Sequence, residues 1–481
     1  MKPSIATRLF SAILAVALFG AMAGCTDVAL TDGGKDMTES SDSFSKLRNA
    51  HLMDRAVAVT DVNGKRKSAS LLDTGTTDTP TSEPISDDPN DSGSSAPSDD
   101  TMLSDSDPTV SLILGMSDGF DITLEADKFL SRYKFLSRYK FLSRYTFSGL
   151  AVEVDQAALE EALKQLDEDP DVEWIEPDIF IELPEQKRVE QDFSQKLPWG
   201  IDRIGATESS ARSGDGEGMV EGPVFFIIDS GAHLFDINVW ERLEDFTGDW
   251  SGLDWYGHGN HIAGTAVAMD DQYGVVGVAP GVETYSLKVL DDNGETEIST
   301  TIQALERVVE YKMSHPDRPV VVNISFGADV GTTNYTALDI AVDATVAAGV
   351  VVVVAAGNDG IDASTVTPAH ASGAITVGAY DVYNQFAFFS NYGPAVDLMA
   401  PGVDILSLGQ VDMTMSIFKG ALMSGTSMAA PHVAGAALLY LSRNPNASPA
   451  SVRKVLVRNA KDTVWNAPAN TTTKSVWVGK F

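Results

Sequence analysis

The chain has 481 residues, of which 43% are hydrophobic, enough for two folded units with sizeable cores. It contains 34 Lys and Arg against 68 Asp and Glu, a formal net charge of −34. This balance argues against nucleic acid as a partner, because nucleic-acid binding needs clustered Lys and Arg. We interpret the excess of acidic residues as a property that keeps the chain soluble.

The N-terminal residues have the organisation of an export signal. A basic start precedes an apolar run from Leu9 to Ala23, shorter than the ~20 residues that a membrane-spanning helix needs. Cys25 is the only cysteine, so no intramolecular disulfide can form. Met22-Ala23-Gly24-Cys25 resembles a bacterial lipobox, although Leu is usual at the first position. We expect residues 1–24 to be a signal peptide and Cys25 to be lipidated; a stray cysteine in an ordinary signal peptide is the alternative.

A long acidic stretch comes next. Between Leu71 and Val110 there is no Lys or Arg, while ten Asp and Glu residues accumulate among Ser, Thr, Gly and Pro. Such a segment cannot bury enough apolar surface to offset its loss of chain entropy. We therefore expect residues 25–109 to be the lipobox cysteine and a disordered tether. A specific acidic ligand-binding tail is the alternative.

Residues 110–183 have the pattern of a small α+β domain. The predicted elements are strands at Val110–Leu114 and Thr146–Val154, a helix at Gln156–Leu166, and a turn and strand within Asp169–Asp178. Inside this domain, Lys-Phe-Leu-Ser-Arg-Tyr occurs three times without a gap, beginning at Lys128, Lys134 and Lys140. A period of six gives no single apolar face on a helix. We interpret the repeat as a tandem duplication in a tolerant loop; a basic-aromatic binding patch is the alternative.

From Pro198 onward, apolar strands alternate with amphipathic helices. The predicted strands are Val224–Ile228, Thr284–Val289, Val320–Ile324, Val350–Ala355 and Ala374–Val377. The predicted helices are His258–Met269, Thr300–Ser314, Thr336–Ala348, Thr426–Arg443 and Ser448–Asn459. Continuous Val and Ile runs are typical of strands buried on both faces, so we expect an α/β fold whose mostly parallel sheet carries helices on both faces. Functional sites of such sheets lie at the carboxyl ends of the strands.

Three motifs carry residues for nucleophilic catalysis. They are Asp229-Ser-Gly directly after a predicted strand, His258-Gly-Asn-His at the start of a predicted helix, and Gly425-Thr-Ser427-Met-Ala at the start of another. A serine hydroxyl attacks an amide only when a base takes its proton and a carboxylate orients that base. The order Asp, His, Ser distinguishes one serine hydrolase design from its unrelated analogues.

Over residues 197–461 these motifs resemble those of subtilisin-like serine proteases, the subtilase family, with proteinase K-like features. The resemblance implies that Asp229 orients, His258 is the general base and acid, and Ser427 attacks. It also implies an inhibitory propeptide at 110–183, which carries Phe147-Ser-Gly-Leu150, followed by a catalytic domain at 197–462 and a C-terminal tail at 463–481. The enzyme would then be a secreted or surface-anchored endopeptidase that processes itself from a zymogen.

The same resemblance assigns the residues around the reacting bond. Asn358 would donate to the oxyanion beside the N–H of Ser427. An extended peptide substrate would pair with two uncharged segments, which predicts a hydrophobic P1 side chain. Their residues are Ser325, Phe326 and Gly327 on one side and Ala355, Ala356 and Gly357 on the other.

A structural calcium ion, and no cofactor for catalysis, is also implied. Asp397 matches the proteinase K-like calcium aspartate, with the carbonyls of Ser372 and Ala374 completing the site. A capping or turn role for Asp397 is the alternative. His261 and His432 are expected to be structural, and the His-x-x-His spacing lacks the third ligand and the glutamate of a zinc protease.

Two other functions remain open for the chain. A catalytically silent subtilase could serve as a binding lipoprotein, and a serine esterase could use the same nucleophile. The Gly-x-Ser-x-Gly elbow of esterases is absent around Ser427. We expect an exported lipoprotein precursor, anchored through Cys25 and inhibited by its own propeptide. Cleavage within Glu182–Gln195 would then release an extracellular or periplasmic enzyme that acts on proteins or peptides.

Overall fold

The computed structural model describes residues 45–60, 66–68, 108–133, 136–143, 146–183, 194–232, 236–239, 242–248, 251–410 and 420–481. Cys25 and the most acidic run of the predicted tether lie outside the described residues. Within them, no helix has both the length and the apolar character needed to span a membrane.

A small α+β domain comes first. An antiparallel sheet carries two α-helices, Ile122–Leu130 and Leu159–Glu168, and the short 3-10 helices Ala50–Ala56 and Gln156–Ala158. Its strands, in spatial order, are Arg66–Ser68, Val57–Thr60, Thr109–Met116, Gly149–Asp155 and Leu136–Ser143, with Val172–Pro177 also paired to Thr109–Met116. Phe129, Leu150, Leu163, Leu166 and Ile175 are among the buried residues of its core.

The expected tether is wrong for residues 45–60 and 66–68, which belong to this domain. Met53 and Ala56 are buried in the domain core, and Leu52 is buried against the larger domain. Val57–Thr60 pairs with the first residues of Thr109–Met116. The apolar side chains of Leu52, Met53 and Ala56 supply the burial that the composition of the acidic run further along does not offer.

The hexapeptide repeat adopts two conformations, so the prediction of a loop is wrong. The first copy ends the helix Ile122–Leu130, with Phe129 buried and the Tyr133 hydroxyl donating to Asp169. The second and third copies supply the strand Leu136–Ser143. The same hexapeptide therefore forms helix or strand according to its tertiary surroundings, because intrinsic helix and strand propensities are weak preferences.

A nine-stranded sheet forms the centre of the larger domain. Its spatial order is Lys461–Asp462, Lys474–Ser475, Leu398–Pro401, Ile375–Tyr380, Val351–Ala355, Val320–Ile324, Val224–Asp229, Glu283–Lys288 and Leu243–Asp245. All neighbours are parallel except the first pair. The α-helices are Trp199–Arg203, His258–Val267, Ile298–Ser314, Ala337–Ala347, Thr426–Arg443 and Pro449–Asn459.

Helices cover both faces of this sheet, as predicted. Phe225 and Ile227 pack into the cluster that contains the helices starting at His258 and Thr426. Phe226 and Ile228 pack into the opposite cluster, with the helices starting at Ile298 and Ala337. All four strand residues are fully buried, each contributing about 1.5–3 kcal/mol of hydrophobic stabilisation.

Three short antiparallel pairs lie outside the two large sheets. Phe180–Glu182 pairs with Glu295–Glu297, Ala328–Asp329 with Val366–Thr367, and Ile405–Leu408 with Gly420–Met423. The final residues also pack against the larger domain, where Val476, Val478 and Phe481 are buried in its core.

Candidate active site

Asp229 ends the strand Val224–Asp229 and is fully buried. Its Oδ1 accepts from the backbone N–H of Ser230 at 2.8 Å and lies 2.8 Å from His258 Nδ1. The sequence places a carboxylate at the carboxyl edge of the sheet, where parallel folds collect their sites. The contact holds the imidazole with Nδ1–H toward Asp229 and Nε2 free to accept a proton.

His258 is the first residue of the helix His258–Val267 and is buried. A Cβ at Gly259 would stand 2.0 Å from the carbonyl oxygen of Gly231, so glycine permits the helix to approach the loop after Asp229. Burial opposes the charged imidazole, but the charge of Asp229 and its hydrogen bond outweigh burial and raise the pKa of His258.

Ser427 is the second residue of the helix Thr426–Arg443. Its Oγ donates to the carbonyl oxygen of Ser325 at 2.6 Å, and none of the contacts among the described residues joins it to His258. Both side chains nevertheless line one cleft of about 1030 Å³. The first N–H groups of a helix have no intrahelical acceptor, so the N–H of Ser427 can meet a developing negative charge.

Asn358 follows the strand Val351–Ala355 and also lines the cleft. Its Oδ1 accepts from the N–H of Thr426 at 2.8 Å and from the Thr426 hydroxyl at 3.0 Å. These two bonds fix the orientation of the amide and leave Nδ2 as a donor. An amide donor and a helix N–H beside a nucleophile form the arrangement of an oxyanion hole.

Residues of both predicted substrate segments line the same cleft as Ser427. They are Ser325, Phe326 and Gly327 of the first segment, and Ala355 and Gly357 of the second. Ala356 does not line it, because its N–H donates to Val377 and its carbonyl accepts from Asn391 Nδ2. Phe326 and Val366 are apolar lining residues, whereas Asp329, Asp359 and Asp404 add carboxylates to the lining.

The small domain reaches this cleft through its last described strand. Phe180–Glu182 pairs with Glu295–Glu297, and the N–H of Leu183 donates to Gly294 at 3.0 Å. The Tyr256 hydroxyl donates to the carbonyl of Leu183 at 3.0 Å. Leu183 thus lines the same cleft as Ser427, and its chain runs extended along an edge of the catalytic domain.

Two carboxylates of the small domain cap helices of the large one. Both Glu176 oxygens accept from the N–H of Ala337, at 3.2 Å each, at the start of its helix. Asp178 Oδ1 accepts from the N–H of Ser299 at 3.0 Å in the first turn of the neighbouring helix. Negative charge is favoured at helix N-termini. Burial nonetheless raises the pKa of Glu176 to about 8, against the opposing effect of the Ala337 N–H.

The predicted calcium site at Asp397 does not fit a metal ion. Arg453 Nε donates to Asp397 Oδ1 at 2.9 Å, and Nη2 donates to the same oxygen at 2.5 Å. Arg453 Nη1 donates to the carbonyl of Ser372 at 2.8 Å. The guanidinium therefore takes two of the three oxygens assigned to calcium, Asp397 Oδ1 and the carbonyl oxygen of Ser372. A side-chain cation replaces the ion that the resemblance implied.

The motifs did not indicate Asp236, the next buried carboxylate after Asp229 in the described chain. It is buried, its Oδ1 has no hydrogen-bond partner, and burial raises its pKa to about 8. Asp271 adds a second negative charge nearby, and Gln195 Nε2 bonds the carbonyl of Met269 at 3.1 Å in the same loop. Oxygen donors of this kind suit Ca²⁺. No local sequence signal marked Asp236, because its burial and its distance to Asp271 depend on the fold.

The other two histidines of the motifs, His261 and His432, are fully buried. His261 Nε2 bonds the carbonyl of Ile405 at 2.8 Å, and His432 Nδ1 bonds that of Met428 at 2.9 Å. Burial lowers their pKa values to about 3 and about 4, respectively. Among the described residues, no group of three or more His, Cys, Asp or Glu is arranged for a metal ion.

The model of the subtilase family matches residues 200–475, more than half of the chain. The chain belongs to the subtilase family. This subtilase is 37% identical over 305 residues to subtilisin NAT of Bacillus subtilis subsp. natto, covering 63% of this chain and 73% of the relative. It is 36% identical over 291 residues to an alkaline protease of Alkalihalobacillus alcalophilus, covering 60% and 71%.

A solved structure of a cold adapted subtilisin-like serine proteinase is 31% identical to the subtilase. It aligns with 58% of this chain and 97% of that chain, at a TM-score of 0.48. The family and its curated relatives make the subtilase a serine endopeptidase.

Proposed function

We propose that this subtilase hydrolyses peptide bonds through Asp229, His258 and Ser427 by way of an acyl-enzyme. The observation that carries the proposal is the 2.8 Å contact between buried Asp229 and His258, in a cleft that His258 shares with Ser427. Ser427 leaves the carbonyl of Ser325, and its proton passes to His258 Nε2 as Oγ attacks the substrate carbonyl.

Asn358 Nδ2 and the N–H of Ser427 stabilise the oxyanion of the tetrahedral intermediate. His258 then gives its proton to the leaving amine, and the acyl group stays on Ser427. A water molecule, deprotonated by His258, attacks the acyl carbonyl. The bond to Ser427 Oγ then breaks, His258 returns the proton to Oγ, and the new carboxylate is freed. Asp229 stays ionised throughout and stabilises the imidazolium.

The small domain acts as the inhibitory propeptide of a zymogen. Three features support this role: the strand pairing of Phe180–Glu182, the presence of Leu183 in the cleft, and the capping of two helices by Glu176 and Asp178. The chain leads from Leu183 in the cleft to Ser194, which pairs with Tyr273. Self-processing cleaves between these two residues, within the predicted segment Glu182–Gln195.

Export and anchoring complete the proposal. The apolar run Leu9–Ala23 directs export, and lipid on Cys25 holds the precursor at the cell envelope. Cleavage between Leu183 and Ser194 separates the protease from Cys25, so the mature enzyme is extracellular or periplasmic. Its P1 preference is hydrophobic, since Phe326, Gly327, Ala355 and Gly357 contribute no charge to the cleft.

We infer that a structural calcium ion would be held by Asp236, and that Asp271 and Gln195 would supply further oxygen donors. The ion would neutralise a buried carboxylate, and catalysis proceeds without it. The unpartnered oxygen of Asp236 supports this assignment. Asp397 is instead paired with the guanidinium of Arg453.

Ser427→Ala tests the function, with Ser424→Ala as the matched control. Ser424 lines the same cleft, three residues earlier, and bonds the N–H of Asp404. A chromogenic peptide and the corresponding ester are assayed after maturation, and the precursor is followed by electrophoresis. The proposal requires Ser424→Ala to mature and hydrolyse peptide, and Ser427→Ala to do neither. Hydrolysis of the ester alone would support an esterase.

A further inference from the structure

A second carboxylate is buried beside the proposed triad. Asp254 is completely inaccessible to solvent, four residues before His258. Its Oδ1 accepts from the N–H of Gly257 at 2.6 Å, and its Oδ2 accepts from the N–H of Asn260 at 2.7 Å. Burying a carboxylate is costly unless strong donors bind it. The donors here are the N–H groups on either side of His258 at the start of its helix.

Asp254 is also connected to the loop that follows Asp229. Ser230 Oγ lies 2.9 Å from Asp254 Oδ1 and 3.2 Å from Asp229 Oδ1. Ser230 Oγ also accepts from the N–H of Gly259 at 3.0 Å. A hydroxyl has only one proton, so the two carboxylates share one donor. The shorter distance directs that proton to Asp254.

A buried lysine fixes the other side of this loop. Lys288 is completely inaccessible, and its Nζ donates to the carbonyl of Ser230 at 2.9 Å and to Asp292 Oδ1 at 3.0 Å. The charged and titratable groups around His258 are therefore well defined. They are Asp229 at the strand end, Asp254 before the helix, Lys288 with Asp292 on the neighbouring strand and its loop, and His261 on the same helix.

We propose that Asp254 is a positioning residue for His258: it ties the start of the His258 helix to the Ser230 loop and keeps a second negative charge near the imidazole. This inference rests on the proposed catalytic function. The ties fix His258 relative to Asp229, because Ser230 adjoins Asp229 and Gly257 adjoins His258. Burial raises the pKa of Asp254, and the N–H groups of Gly257 and Asn260 oppose that rise. In its ionised form Asp254 favours the imidazolium that forms as Ser427 attacks. Asp254 is among the charges that raise the pKa of His258.

The test compares matured wild type, Asp254→Asn and Ser230→Ala, with the unprocessed Ser427→Ala chain as the inactive reference. Asp254→Asn keeps the size of the side chain but removes the charge and places an N–H₂ group against backbone donors. We expect kcat to fall by up to about a hundredfold, since small misplacements of catalytic groups cost that much. KM should stay within about twofold, because Asp254 does not line the cleft. The acid limb of kcat/KM should move to lower pH.

Asp362→Asn is the matched control. Asp362 also accepts from backbone N–H at a helix start, from Ser364 at 2.9 Å, and it does not line the cleft. It should keep the wild-type acid limb. A purely structural Asp254 would lower the thermal midpoint without moving the limb or kcat, and that result overturns the inference.

Ser230→Ala decides the matter if Asp254→Asn does not fold, since it removes only the shared hydroxyl. We expect a smaller loss of kcat with little change in KM; wild-type kcat in Ser230→Ala then overturns the inference. Ser427→Ala separates the two levels of the account. If Ser427→Ala is inactive and Asp254→Asn behaves like wild type, only the role of Asp254 fails. If Ser427→Ala remains active, the proposed triad itself fails.

Discussion

The Ser427 hydroxyl donates to the carbonyl oxygen of Ser325, 2.6 Å away, in the chain that still carries its small domain. The proposed nucleophile thus lies within the cleft, with its proton engaged by a backbone acceptor. A serine side chain changes rotamer easily, and hydrogen bonds of catalytic groups often tighten only when substrate binds. The arrangement is compatible with a resting enzyme that awaits a substrate.

The pH dependence of catalysis follows from the Asp229–His258 contact. His258 works as a base only when neutral, and its pKa is raised above the ordinary value of 6.5. Activity should therefore be lost as pH falls through a value above 6.5. Asp229→Asn removes the charge that raises this pKa, so the acid limb of kcat/KM should move down. We also expect kcat to fall by about 10⁴, the loss known for this substitution in another serine protease.

The oxyanion role of Asn358 gives a second prediction. Asn358→Ala should lower kcat by about 10²–10³, with little change in KM, because the amide donates mainly to the transition state. Asn358→Asp is the informative partner, since it keeps an acceptor for the N–H of Thr426 but has no donor. Both variants should be slow. Wild-type kcat in either variant would assign the amide to turn geometry alone.

The sequence predicted the main layers because they depend on local composition. The helix Thr426–Arg443 and the strand Val320–Ile324 begin and end where their patterns predicted. The strand Leu398–Pro401 was missed, since it is short and ends at proline. The fate of the hexapeptide repeat was also missed, because its copies differ only in tertiary surroundings.

The site shows the same division. The motifs pointed to Asp229, His258 and Ser427, which are far apart in sequence; in the structure Asp229 contacts His258, and His258 shares one cleft with Ser427. The pairing of Arg453 with Asp397 joins residues 56 positions apart and carries no local signal. The role of Asp254 was equally hidden, because a single carboxylate before a helix has the pattern of an ordinary cap.

The contribution of Glu176 to the stability of the unprocessed chain should fall as pH rises. The pKa of Glu176 is raised from 4.5 to about 8, mainly by burial, with Asp339 and Asp178 adding to the rise and Arg48 opposing it. A group whose folded pKa is raised contributes stability that is present below pH 4.5 and is lost as pH rises through about 8. Thermal unfolding of the unprocessed Ser427→Ala chain should show this loss.

Glu176→Gln in the same background supplies the control. Glutamine keeps an acceptor for the Ala337 N–H but cannot titrate, so this part of the pH dependence should vanish. Asp236 titrates in the same direction, and the difference between the two chains removes its contribution. If the thermal midpoints of the two chains changed in parallel between pH 6 and 9, the assignment to Glu176 would be contradicted.

Metal removal tests whether calcium binds at Asp236 and whether the Asp397–Arg453 pair is independent of calcium. Calcium that binds only the folded chain stabilises it by mass action, so a chelator should lower the thermal midpoint of the Ser427→Ala chain. Asp236→Asn should abolish this calcium response. Arg453→Met should cost about 1–2 kcal/mol with or without calcium, less than a fully buried pair, because the Arg453 side chain is 37% exposed. A calcium response that survives Asp236→Asn would place the ion elsewhere.

The identity of the nucleophile is the central claim, and covalent labelling tests it most directly. Matured wild type and Ser424→Ala, together with His258→Ala processed in trans by another protease and repurified, are treated with a fluorophosphonate, and the modified peptide is mapped by mass spectrometry. We predict one adduct, on Ser427, in wild type and Ser424→Ala, and at least about a thousandfold slower labelling in His258→Ala because the base that activates the hydroxyl is missing. An adduct on another residue, or equal labelling rates with and without His258, would contradict the account.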